Sequence, residues 1–148
     1  MPEFQLDLGG HDAALDYSKL DAFTRGYIEA MFFTDASCAD DGDLADATVA
    51  DLAPETWEQI KTDCADFQRI NRADLDEAFD CGRINGYDEA AAGRDFWFTR
   101  NGHGCGFWDR DLGEVGRVLS DACGWRNRNS PAPTFQERDL YRGDDGKV

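Results

Sequence analysis

Residues 95–110, DFWFTRNGHGCGFWDR, limit what this chain can fold into more than any other stretch. Three aromatic side chains stand in a row at Phe96, Trp97 and Phe98, and two more follow at Phe107 and Trp108. Consecutive large apolar groups point in more than one direction, so the segment needs cover on more than one side. Phe96 and Phe98 share one parity, Trp97 and Thr99 the other. That reads as a strand over 94–100 with large groups on both faces. Asn101-Gly102-His103-Gly104 tolerates positive φ, and CGFWD reads as a returning strand. The expectation is a β-hairpin over 94–108 with a short loop.

The remaining segments are read around that hairpin. In residues 1–16, Phe4, Leu6 and Leu8 alternate with polar residues, which predicts a short edge strand or an extended arm. Ser18, with Asp21 three residues on, predicts a helix start, and the helix runs to about Thr34. Its inward stripe is Leu20, Phe23, Tyr27 and Met31, flanked by Thr24 and Ile28. Pro54 opens a second helix with Trp57, Ile60, Cys64 and Phe67 inward. Leu75 and Phe79 continue that stripe, in the same helix or after a break near Asn71. A Gly-punctuated connector leads into the hairpin. Residues 111–124 form another helix with Leu112, Val115, Leu119 and Cys123 inward, closed by Gly124. A last strand falls around 139–142. Together these predict an α+β fold: one domain over 1–148, with three or four helices packed on a small antiparallel sheet.

Charge is distributed unevenly. The chain carries 15 basic and 31 acidic residues, a net charge of −16. Residues 1–93 hold 22 acids and 6 bases, whereas 94–148 hold 9 of each. The whole surplus therefore belongs to the N-terminal part. Such a field repels nucleic acid and anionic membranes and attracts strongly basic surfaces. Residues 35–51 contain six Asp and no base, and lack the frame of an EF-hand loop. The acids that compose the expected binding surface are Asp40, Asp41, Asp43, Asp46, Glu55, Glu58, Asp63, Asp66, Asp74, Asp76 and Glu77. Acids three or four apart on a helix stand about 5–6 Å apart, a spacing of the same order as phosphates along one strand. Solubility alone is a competing account of the acidity.

Site chemistry offers less. The five cysteines are odd in number, widely spaced and without a C-x-x-C, which predicts reduced thiols, mostly buried as small hydrophobes. Cys64, Cys81, His103 and Cys105 lack the paired close spacing of zinc ligands, so no metal is expected. There is no P-loop, GxSxG, HExxH or GxGxxG, and no cofactor is expected. His103, with Asn101 and Asp109 nearby, forms the one alternative catalytic constellation: a loop histidine as general base with a carboxylate to orient it.

The 95–110 block, together with FTRGYIEAMFFT upstream and DLYRGDDGKV downstream, resembles a family of small acidic proteins common in bacteriophages, prophages and plasmids. The resemblance covers most of residues 20–148, and the FWxTRNGHGxGFWDR block is its specific part. That family is uncharacterised, so the resemblance implies a mobile-element context and transfers no catalytic residue. Cys105 stands where the family pattern favours a small residue such as Ala.

The resulting expectation is a cytoplasmic protein in a bacterial host, binding the basic surface of a nucleic-acid-handling protein. It would act as a nucleic-acid mimic against restriction or CRISPR defence, without touching nucleic acid or membrane itself. The alternatives are a small enzyme or ligand-binding protein built on the NGHG loop, and an accessory protein whose acidity serves solubility.

Overall fold

The computed structural model describes residues 11–34, 49, 52–82, 86–101, 106–107, 110 and 112–123. Six helices follow in order among them: α1 (His11–Ser18), α2 (Ala22–Phe32), α3 (Pro54–Ile70), α4 (Arg72–Gly82), α5 (Glu89–Arg100) and α6 (Glu114–Ala122). No strand occurs among the described residues, and this overturns the expected α+β class with its antiparallel sheet. The segment read as the first hairpin strand, 94–100, is the C-terminal part of α5.

Local chemistry explains that correction. Asp88 caps α5, its carboxylate accepting the Ala91 N–H at 2.9 Å. Glu-Ala-Ala-Ala follows, a run of strong helix formers that begins the helix before the aromatics arrive. Phe96, Trp97 and Thr99 are buried, Phe98 partly so, because the C-terminal half of α5 runs through the core. A helix covered on nearly every side has no polar face, and consecutive aromatics then mimic a doubly covered strand.

The N-terminal expectation is corrected in the same direction. Residues 11–16, placed in an extended arm or strand, are helical in α1; residues 1–10 lie outside the described residues. Ser18 is the last residue of α1 and donates to the Leu15 carbonyl. The cap of α2 is Asp21 itself, accepting the Thr24 N–H at 2.8 Å. The α2 stripe is as expected, with Phe23, Thr24, Tyr27, Ile28 and Met31 buried and Leu20 partly buried. Pro54 starts α3, which turns Ile60, Cys64 and Phe67 inward. The break at Asn71 occurs: its amide Nδ2 and backbone N–H both donate to the Phe67 carbonyl, and α4 starts afresh. Val115 and Leu119 are buried along α6, and Leu112 and Cys123 are buried just outside its two ends. Gly124 and residues 139–142 lie outside the described residues.

The centre of the fold is the pair α2 and α5. They cross so closely that a Cβ on Gly93 would lie 1.8 Å from the Phe23 carbonyl oxygen, and one on Gly26 2.1 Å from that of Ala90. Glycine is required at this crossing because backbone meets backbone. Around it the aromatics stack: Phe67 on Phe96 at 4.3 Å between centroids, Phe67 on Phe107 at 5.8 Å, and Tyr27 edge-on to Trp97 at 5.4 Å. α3 packs against α2 and α4, and α4 against α6.

Candidate functional site

Asp95, Arg100 and Arg110 of the 95–110 block take part in two ion-pair clusters that reach into the core. In the first, Asp95, 1% exposed, receives Arg110 through Nε and Nη2, the shortest contact being 2.8 Å. The Tyr87 hydroxyl donates to Asp95 Oδ2 at 2.9 Å, an oxygen that Arg110 Nε also reaches at 3.1 Å. The first and last residues of the block thus clasp each other. A second tie lies inside the clasp: the Phe107 N–H donates to Thr99 Oγ1 at 3.3 Å. Phe107 and Arg110 therefore both bond to side chains of α5.

In the second cluster Arg100, its side chain 2% exposed, donates to Asp63 at 3.0 Å and to the Tyr27 hydroxyl at 3.1 Å. Its guanidinium lies over the Phe96 ring, 5.0 Å from the centroid. Burial alone would lower the Arg100 pKa, but Tyr27 and Asp63 outweigh it and raise it. Burial pushes the Tyr27 and Tyr87 phenols well above the ordinary value, and the Asp95 carboxylate adds to the effect on Tyr87. Both tyrosines stay neutral, as hydrogen-bonding groups rather than bases.

Asn101, one member of the alternative catalytic constellation, ends α5 by donating Nδ2 to the Trp97 carbonyl at 3.1 Å. His103 and Asp109 lie outside the described residues. Cys64 and Cys123 are buried free thiols. Burial raises both pKa values strongly, so neither is a thiolate nucleophile. Among the described residues no group of three or more His, Cys, Asp or Glu is placed to hold a metal ion. No described helix is long and apolar enough to cross a membrane.

The acids expected to form a binding surface separate into three groups. Asp40, Asp41, Asp43 and Asp46 lie outside the described residues. Asp63 is turned inward onto Arg100 and also accepts from Gln59 at 2.7 Å. Glu55, Glu58, Asp66, Asp74, Asp76 and Glu77 lie on the exposed or half-exposed sides of α3 and α4, where Asp80 joins them. Of these, Glu58 pairs with Lys61 at 2.7 Å, Asp66 with Arg69 at 3.5 Å and Asp76 with Arg72 at 2.8 Å. Glu55, Asp74, Glu77 and Asp80 have no cationic partner among the described residues. Glu55 and Asp74 also occupy the first turns of α3 and α4, where the helix dipole favours a carboxylate.

Sequence reasoning missed the clasp and the buried arginine. The signal available was the pairing of Asp95 with Arg110 at the two ends of one aromatic block. Compared with protein families, curated proteins and solved structures, the chain finds no match in any of the three.

Proposed function

We propose that the protein is an acidic interaction protein, of the mobile-element kind its 95–110 block resembles. It binds a basic, nucleic-acid-handling protein of a bacterial host and competes there with DNA or RNA, as an inhibitor of restriction or CRISPR defence does. One observation carries the reading: charge is partitioned between inside and outside. Arg100 is buried against Asp63, and Arg110, partly exposed, is held by the buried Asp95, so both cations are committed to carboxylates of their own and not to the acids of α3 and α4 named next. The surfaces of α3 and α4 keep Glu55, Glu58, Asp66, Asp74, Asp76, Glu77 and Asp80 against Lys61, Arg69 and Arg72. Asp74, Glu77 and Asp80 recur every third residue along α4, a spacing at which neighbouring side chains stand about 5–6 Å apart.

Such a surface works by summed field. Many carboxylates contribute modestly, association is steered and fast, and binding weakens as salt shortens the Debye length from about 10 Å at 0.1 M to about 3 Å at 1 M. The test is capture from a bacterial lysate at low and at high salt. The baits are the wild type, the variant Glu55→Gln/Asp74→Asn/Glu77→Gln/Asp80→Asn, and His103→Ala. The expected result is a nucleic-acid-binding protein held by the wild type and by His103→Ala at low salt only, and not by the fourfold variant. Equal capture by all three baits, or loss on His103→Ala alone, overturns the reading.

A further inference from the structure

We draw no further inference here: the strongest candidate, the acidic stripe of Asp74, Glu77 and Asp80 along α4, belongs to the surface already described, and nothing in the structure shows what covers it.

Discussion

The α2–α5 crossing makes the sharpest stability prediction, through Gly93→Ala. The new Cβ would sit 1.8 Å from the Phe23 carbonyl oxygen, 1.2 Å inside the 3.0 Å limit of real Cβ contacts. The obstacle is backbone, so no side-chain rotation relieves it. The helices must separate, and a radial gap of about 0.5–1 Å already forfeits a quarter to a half of the contact energy. Phe23, Tyr27, Phe96 and Trp97 pack across this crossing, with centroids 5.3–6.0 Å apart. Burying each stabilises by about 1.5–3 kcal/mol, so the lost share over the four comes to roughly 1.5–6 kcal/mol. Alanine returns about 1 kcal/mol as the better helix former. The net expectation is a destabilisation of about 0.5–5 kcal/mol. With a urea m-value of about 1.5 kcal/mol/M, the unfolding midpoint followed by far-UV circular dichroism falls by roughly 0.3–3 M. An unchanged or raised midpoint, the behaviour of an open helical glycine, refutes the close crossing. Gly26→Ala opens the same gap, so the double variant costs less than the sum of the two.

Three further predictions follow from the internal charges, the cap and the thiols. Asp63→Asn strands Arg100 without its carboxylate and costs about 3–5 kcal/mol; Asp95→Asn sits at the low end of that range because Arg110 still reaches solvent. Thermal or urea unfolding checks both, and a loss below about 1 kcal/mol at either site contradicts the buried pairing. Burial raises the Asp21 pKa, but hydrogen bonds from Thr24 and Gln68 outweigh it and set the folded value below the ordinary one. Its contribution is therefore full at neutral pH and is lost as pH falls below about 4. Asp21→Ala costs about 1 kcal/mol at neutral pH, whereas Asp21→Asn keeps most of the cap and loses the acid dependence, both read from urea midpoints across pH. Cys64 and Cys123 resist thiol reagents until the protein unfolds, as peptide mapping after native labelling will show; rapid native modification of either contradicts their burial.

Where a helix has one wet and one dry face it is legible: the Pro54 start of α3 and the inward residues of α3 and α6 follow from helical spacing, because exposed residues between the apolar ones reveal the period. α2 is itself buried on most sides, and its stripe is legible through the recurrence of Phe23, Tyr27 and Met31 every fourth residue. α5 is buried on most sides too, but it carries Asp95 and Arg100 into the core, so both its apolar and its charged positions mislead. The glycines there point the same way: Gly93 serves a helix crossing rather than a turn. The candidate site was legible only as composition. That α3 and α4 carry exposed acids follows from their patterning, but the removal of Asp63 from that surface depends on Arg100, 37 residues further on. Asn101 read as a catalytic neighbour of His103, which lies outside the described residues; the spacing did not show that Asn101 also terminates α5.

The most direct test of the account is displacement. A labelled DNA or RNA is bound to the purified protein that the wild type captures, and the acidic protein is titrated in at two salt concentrations. The expected result is competitive release of the nucleic acid, weaker at higher salt and lost in the Glu55→Gln/Asp74→Asn/Glu77→Gln/Asp80→Asn variant. A ternary complex in which the nucleic acid stays bound, or equal release by the neutralised variant, would contradict it.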